Sequence, residues 1–255
     1  MMMWSRLSER HSPAIELVTV LGCYAAYEAT RGAVAGSRMQ AMRRADDIAA
    51  LERRLHVFAE PNVQEAARRV PGLLGTLGVA YVTLHLIATS ALLLWLYCTR
   101  NEAFPRIRTT LIVASFLSLV VFLVFPTAPP RLAGIGISDT VSHGGVDLNH
   151  GLVNSLYDPY AAVPSMHVGY ALVVGAVLAR TARRTALRVA GWLYPPFVLL
   201  VIVATGNHFF FDAAAGAAVV GVAYGAVWAL RPRGRAGEVV PIRRAAAAGD
   251  VERAA

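Results

Sequence analysis

The chain has 255 residues, of which 56% are hydrophobic and only 16% are charged. A soluble domain of this size carries about 25% charged residues, so the composition argues against an ordinary soluble enzyme and against a disordered chain. The formal net charge is +8, and all 24 basic residues are arginine. In so apolar a chain we attribute this charge to arginines that hold helix ends at a membrane surface, and we expect no nucleic-acid partner.

The apolar residues occur in long runs. A helix that crosses the hydrocarbon core of a bilayer needs about 20 mostly apolar residues. The sequence therefore predicts an all-α, polytopic bundle of six transmembrane helices, over residues 13–34, 73–98, 108–126, 163–180, 189–206 and 208–230. The first segment, with residues 1–12 before it, could also be a signal peptide. Because Glu16 and Glu28 interrupt its apolar character, we favour an uncleaved helix within an N-terminal unit, 1–35.

Residues 36–70 are more polar and have a helical pattern. Ile48, Leu51, Leu55 and Phe58 recur at spacings of three and four, with arginines between them. This periodicity is typical of an amphipathic helix. Packing of this helix against the bundle at the membrane surface is favoured over a role in binding lipid headgroups.

Two further segments are predicted to lack regular structure. The loop 129–160 is rich in Gly, His and Asp, and its His143, Asp147 and His150 have spacings that a metal could use. A solvated loop is the favoured interpretation, and we expect neither a metal nor another cofactor. The tail 231–255 is rich in Arg, Gly and Ala and is predicted to be disordered.

The distribution of arginines predicts an orientation. The connections that follow the second, fourth and sixth predicted spans are rich in Arg, whereas residues 127–162 contain only Arg131. By the positive-inside rule, the Arg-rich connections and both termini are cytoplasmic. The segment 36–70 disagrees, because it lies outside in this arrangement and has seven arginines.

Three polar motifs fall at the ends of predicted spans. Residues 126–131 (PTAPPR) end the third span, residues 164–167 (PSMH) begin the fourth, and residues 206–212 (GNHFFFD) begin the sixth. Counting the spans places all three motifs on the same side of the membrane. The sequence therefore predicts one site at that side, within a catalytic core formed by residues 71–230.

The residue types in the third motif suit a nucleophilic imidazole. His208 and Asp212 are four residues apart at a predicted helix start and would share one face. An Asp that accepts a proton from one ring nitrogen leaves the other nitrogen free to attack. The start of the helix would also present free N–H groups to an anion.

The other two motifs supply the remaining groups for phosphoryl transfer. The guanidinium of Arg131 suits phosphate oxygens, and His167 could donate a proton to a leaving oxygen. Each residue alone has a structural explanation, as a helix-end histidine or a topological anchor. Together they favour function, because ionisable groups inside a membrane protein are costly. His85, within the second span, is expected to be structural.

These motifs resemble those of the type-2 phosphatidic acid phosphatase superfamily and, more narrowly, those of its bacterial inositol phosphorylceramide synthase branch. The resemblance covers about residues 40–230, and its supporting stretches are 51–60, 125–131, 160–169 and 204–208. It implies that His208 attacks phosphorus, that Asp212 orients His208, and that His167 protonates the leaving alcohol. Arg131 matches the Arg of the superfamily's first motif.

Two cations of the superfamily pattern are missing. Val124 stands where the first motif has Lys, and Ile202 stands where the third motif has a second Arg. The narrower branch tolerates such losses. Backbone N–H groups near Ser165 and Asn207 are expected to compensate by binding phosphate.

The resulting prediction is a metal-independent enzyme that acts on a lipid phosphate or phosphodiester at the exterior face of a bacterial inner membrane, through a phosphohistidine. Hydrolysis would make it a phosphatase, and capture by an inositol or sugar hydroxyl would make it a phosphotransferase. One alternative is a non-enzymatic transporter or scaffold with an anion site, which the lack of an inverted repeat disfavours. Another is vanadate-dependent peroxidase chemistry, which the membrane setting disfavours.

Overall fold

The computed structural model describes residues 13–33, 38–99, 103–140 and 160–230. Within these ranges the protein is all-α, as the composition predicts. Its helices are α1 (Pro13–Ala33), α2 (Arg38–Arg54), α3 (Glu60–Arg68), α4 (Leu73–Cys98), α5 (Phe104–Val124), α6 (Met166–Thr181), α7 (Thr185–Ala204) and α8 (Phe210–Ala229). A short 3₁₀ turn, Pro130–Leu132, follows α5.

Four of the described helices, α4, α5, α7 and α8, are long and apolar enough to cross a membrane. The other two predicted spans correspond to shorter apolar helices, at Pro13–Tyr27 within α1 and at Met166–Thr181 in α6. The protein is therefore a helical membrane protein, while the count of six spans stays a prediction. Helix α6 lies at the centre of the bundle, in contact with α4, α5, α7 and α8.

Helix boundaries differ from the predicted ones mainly where the motifs lie. The prediction for α4 is confirmed, since it runs over residues 73–98. In contrast, α7 begins at Thr185 and ends at Ala204, and α8 begins at Phe210 rather than at residue 208. Gly206 adopts φ 70° between these two helices, a conformation that favours glycine. His208 therefore lies in the turn before α8 and not on the helix itself.

The amphipathic segment forms two helices, α2 and α3, instead of one. His56, with φ 58°, lies between them. Leu51 and Leu55, which the pattern predicted to face the bundle, are 40% and 62% exposed. The buried face of α2 consists of Ala41, Ala45, Ile48, Ala49 and Glu52. Small alanines let this helix approach the bundle closely, so that most of this face joins one apolar cluster with the fully buried Phe209.

Several predictions concern residues outside the described ranges. They include the possible metal ligands of the 141–159 loop, the disordered tail from residue 231 onward and the residues before Pro13.

Candidate active site

The first motif is joined to the other two by main-chain hydrogen bonds. Thr127 pairs with the strand-like segment before the second motif, where the N–H of Ala162 donates to the Thr127 carbonyl at 3.1 Å. At the other end of the first motif, the N–H of Arg131 donates to the carbonyl of Gly206 at 2.9 Å. The first motif therefore bridges the other two motifs.

The second and third motifs also contact each other directly. The N–H of Ser165, just before α6, donates to the carbonyl of Asp212 in α8 at 2.9 Å. Gly216 makes this approach possible, because a Cβ atom at that position would collide with the carbonyl of Ser165. The structure thus brings the three motifs together at one end of the bundle.

The imidazole of His208 is held through one nitrogen. Its Nδ1 lies 3.0 Å from the carbonyl oxygen of Ala162 and 3.1 Å from Oδ2 of Asp212. Both partners are acceptors, so the proton resides on Nδ1 and the lone pair is on Nε2. The predicted pairing of His208 with Asp212 is present, although it spans the turn into α8 rather than one face of a helix. Ala162 is a second acceptor that the sequence pattern did not indicate.

The first backbone amides of α8 are already occupied. The N–H groups of residues 209–211 donate in turn to Asp212 at 2.9 Å, to Glu60 at 3.2 Å and to Glu52 at 2.7 Å. The expectation that the start of this helix offers free N–H groups to an anion is therefore wrong. Three carboxyl groups occupy the place where a phosphate would otherwise bind.

Glu52 and Glu60 are functional-site neighbours that sequence reasoning missed. Both are buried, with 2% and 0% exposure. Burial raises the pKa of Glu52 to about 9, with further contributions from the hydrogen bond and the negative charge of Glu60. Glu52 therefore keeps its proton at neutral pH, which reduces the repulsion within this acidic group. Both glutamates lie in the 51–60 stretch of the resemblance, but the amphipathic pattern gave them no role in the site.

The start of α6 differs from the start of α8. Ser165 is fully buried, and its Oγ has no hydrogen-bond partner within the described residues. Over the same ranges, the N–H groups of Met166 and Val168 also donate no hydrogen bond. The backbone amides expected to bind phosphate are different ones, since Ser165 N–H donates to Asp212 and Asn207 N–H donates to Ile202 at 3.1 Å. The hydroxyl of Ser165 and the first turn of α6 are the donors that suit an anion.

Arg131 is buried and already bonded. Its Nε donates to Oδ1 of Asn207 at 2.9 Å, and its Nη1 pairs with Oδ2 of Asp139 at 2.6 Å. Nδ2 of Asn207 donates in turn to the hydroxyl of Thr205 at 2.9 Å. Asn207 therefore positions Arg131, whereas the sequence suggested that it contacts phosphate. Asp139 is a further residue that the sequence did not indicate.

His167, the expected proton donor, lies in a cluster of rings. Its ring stacks on Tyr81 at 4.4 Å and meets the edge of His85 at 4.3 Å between centroids. The centroid of His208 is 5.6 Å away, so one phosphoryl group could contact both imidazoles. His85 and Tyr81 are one helical turn apart on α4. Their spacing of four residues was the only sequence signal for this contact.

The two positions at which the superfamily cations are missing contain no replacement. Val124 is 62% exposed at the end of α5, and Ile202 is fully buried in an apolar cluster. Neither position offers a charge to the site. Arg131 is therefore the cation that the three motifs themselves contribute.

The fold and the site define a helical membrane protein with two facing histidines, one of them oriented by a carboxylate. Comparison with family models gives a match to the PAP2 superfamily over residues 46–226. The chain belongs to this superfamily, which makes it a membrane enzyme of the phosphatase type and disfavours a transporter or scaffold. No curated protein and no solved structure matches the chain.

Proposed function

We propose that the protein is a metal-independent phosphoryl-transfer enzyme that acts on a lipid phosphate or phosphodiester through a phosphohistidine at His208. The observation that carries this proposal is the double anchoring of His208 Nδ1 by Ala162 and Asp212. It fixes the tautomer in which Nε2 is the nucleophile. An imidazole without such anchoring would populate both tautomers.

The first step forms a bond from His208 Nε2 to phosphorus and breaks the bond from phosphorus to the leaving alcohol oxygen. His167 in its protonated form gives its proton to that oxygen, and the neutral alcohol departs. In the second step, the oxygen of water or another hydroxyl forms a bond to phosphorus, the bond from phosphorus to His208 Nε2 breaks, and the attacking hydroxyl gives its proton to His167. Asp212 stabilises the positive charge that develops on the ring of His208.

Arg131 and the start of α6 are proposed to bind the phosphoryl oxygens. The hydroxyl of Ser165, which has no partner among the described residues, and the amides at Met166 and Val168 supply neutral donors. These donors act where negative charge increases in the transition state.

A groove beside the site supports a lipid substrate. It has a volume of about 240 Å³ and lies between α1, α4 and α5. His85 lines this groove and also contacts His167, so the groove adjoins the reacting centre. Apolar side chains such as Leu86, Leu93 and Phe116 form much of its wall. An acyl chain in this groove would leave the lipid phosphate beside the two histidines.

The acceptor is proposed to be water or the hydroxyl of inositol or a sugar, in line with the inositol phosphorylceramide synthase-like resemblance. The apolar residues at 124 and 202 support this narrower assignment, because they remove two cations that a phosphatase of the superfamily would have. Incubation with lipid phosphates, with and without inositol, followed by mass spectrometry of the lipid and headgroup products, distinguishes the two outcomes. Full activity in EDTA is expected, and complete loss that Mg²⁺ restores would contradict the metal-free mechanism.

The two histidines provide the test of the mechanism. His208→Ala should abolish turnover and phosphoenzyme formation with every substrate. His167→Ala should slow a lipid substrate by about 10²–10⁴-fold, the usual contribution of general acid catalysis, and should affect an aryl phosphate with a good leaving group much less. Turnover of His208→Ala at the wild-type rate would show that His208 is not the nucleophile. An equal loss on both substrates for His167→Ala would show that His167 binds phosphate instead of donating a proton.

The site is proposed to face the exterior of the inner membrane, with residues 36–70 covering a catalytic core formed by 71–230. Val57, 47% exposed between α2 and α3, and Ala186, exposed at the start of α7, lie on opposite sides in this arrangement. In a background without Cys23 and Cys98, Val57→Cys should react with an impermeant thiol reagent in intact cells. Ala186→Cys should react only after lysis. The reverse labelling pattern would show that the topology is opposite to the proposed one.

A further inference from the structure

A second cavity lies at the end of the bundle away from the three motifs. It has a volume of about 540 Å³ and is lined by residues of α5, α6 and α8. His167 is in the first turn of α6, whereas Arg180, which lines the cavity, is in the last turn. At 1.5 Å per residue, these positions are about 20 Å apart along the helix. The cavity is therefore separate from the candidate active site.

The cavity combines apolar walls with cationic groups. The walls include Leu172, Val173, Ala176 and Val220. Arg106 and Arg180 also line the cavity, and none of the described residues lining it is acidic. Within the described ranges, no carboxylate forms an ion pair with either guanidinium. The cavity therefore offers two positive charges beside an apolar surface.

Two polar atoms in this cavity are buried without a partner. Thr110 is fully buried, and its Oγ1 has no hydrogen-bond partner among the described residues. Nε of Arg106 is likewise buried and unbonded within those ranges, while the guanidinium lies 4.9 Å from the ring centroid of Trp228. A buried donor without an acceptor costs about 1–3 kcal/mol. A ligand with anionic oxygens would satisfy both donors.

We propose that this cavity is a binding site for an anionic phospholipid that is not the substrate. The lipid phosphate lies between Arg106 and Arg180, with Thr110 as a further donor, and one acyl chain lies along the apolar wall of α6. Basic pockets between transmembrane helices are suited to acidic lipid headgroups. A small soluble anion would use the arginines but would leave the apolar walls exposed to water, which favours a lipid.

Two glycines of α8 provide a matched steric test. Gly221 lines the cavity and Gly225 does not, and a Cβ atom at either position would meet open space. Gly221→Leu therefore places its side chain at the cavity with no clash at Cβ, whereas Gly225→Leu adds the same side chain outside the cavity. For charge, Arg106→Gln with Arg180→Gln is compared with Arg183→Gln with Arg184→Gln, two exposed arginines that follow α6.

The experiment is native mass spectrometry of the full chain in a non-ionic detergent, with phosphatidylglycerol and phosphatidylcholine of matched chains at equal concentration. We expect one bound phosphatidylglycerol on the wild type, at least about fivefold above phosphatidylcholine. This factor corresponds to roughly 1 kcal/mol. The double variant Arg106→Gln with Arg180→Gln should lose that preference for phosphatidylglycerol. Gly221→Leu should reduce the occupancy by both lipids. The two control variants should behave like the wild type.

Three results would overturn the proposal. Wild-type binding by both cavity variants would show that the lipid binds elsewhere, including at the active site. An equal loss of the phosphatidylglycerol preference in the control variant, Arg183→Gln with Arg184→Gln, would show that the preference comes from surface electrostatics only. Displacement of phosphatidylglycerol by glycerol phosphate at the same concentration would show a soluble-anion site. If Gly221→Leu is not monodisperse, the comparison of the two arginine pairs decides the question alone.

Discussion

Two helices begin at the candidate active site, and their first turns are used differently. At α8, the backbone N–H groups of residues 209–211 donate hydrogen bonds to the carboxyl groups of Asp212, Glu60 and Glu52. At α6, the hydroxyl of Ser165 and the amides of Met166 and Val168 have no partner within the described residues. Both helix starts carry a partial positive charge. In the proposed mechanism, the start of α8 is neutralised and holds the nucleophile, whereas the start of α6 stays open for the phosphoryl group.

The largest expected effect comes from separating the two helix starts. Gly216→Ala places a methyl group against the carbonyl of Ser165, so that α6 and α8 must move apart. A misplacement of about 1 Å at a catalytic group can reduce the rate about 10²-fold. We expect a loss of this size in kcat on a lipid phosphate. Gly225→Ala, where a Cβ meets open space on the same helix, should stay within about twofold. Equal rates for the two variants would contradict the role of the close contact.

Removal of one carboxyl group should weaken the start of α8. Glu52→Ala leaves the N–H of Phe211 buried without its acceptor, which costs about 1–3 kcal/mol. Glu52→Gln keeps an acceptor and should retain most of the stability. The matched control is Asp47→Ala, an exposed acid on the same helix, for which at most about 0.5 kcal/mol is expected. Denaturant unfolding in detergent gives the free energy of unfolding of all three variants. An equal loss of stability in Asp47→Ala and Glu52→Ala would contradict the role of Glu52 at the start of α8.

Removal of the open donor at α6 should affect ligand binding rather than stability. Hydrogen bonds to charged groups contribute about 1.5–3 kcal/mol, so Ser165→Ala should weaken competitive inhibition by inorganic phosphate at least about tenfold. The thermal stability without ligand should not fall, because the hydroxyl has no partner among the described residues. Ser118→Ala removes a buried hydroxyl that is bonded to the Ser115 carbonyl and should leave phosphate inhibition unchanged. Unaltered inhibition in Ser165→Ala would mean that the anion binds elsewhere.

The last comparison concerns the dependence of stability on pH. The pKa of Glu52 is raised from 4.5 to about 9 in the folded protein, so the folded state binds more protons than the unfolded state between these values. The contribution of this group to the free energy of unfolding therefore decreases as pH rises from about 4.5 to about 9. Glu52→Gln should make the melting temperature less dependent on pH over this window. An unchanged pH profile would show that Glu52 does not titrate there.

Much of the fold follows from the sequence because apolar length and helix ends are local signals. The bounds of α4 are predicted correctly, and counting spans places the motifs of Arg131, His167 and His208 at one end of the bundle. Boundaries near the site are less predictable. The start of α8 depends on carboxyl groups that lie about 150 residues earlier in the chain, and no local pattern contains that information.

The candidate site was predictable only in part for the same reason. His208 and Asp212 are close in sequence, and so their contact could be inferred from spacing. Glu52, Glu60 and Tyr81 reach the site through packing of helices distant in sequence, and periodicity assigns them only a face. Asp139 follows Arg131 by eight residues in an irregular segment, where spacing does not determine distance. Pairings of this kind are tertiary features.

The main-chain bonds among the three motifs have a consequence for protein engineering. A bond between backbone groups depends little on the side chains of its residues, provided that neither donor is proline. The links from Thr127 to Ala162 and from Arg131 to Gly206 would therefore survive many side-chain changes at Thr127 and at Ala162. Both side chains are buried, so volume-conserving substitutions there are expected to leave the two histidines in place, whereas large side chains would overpack the contact between the motifs.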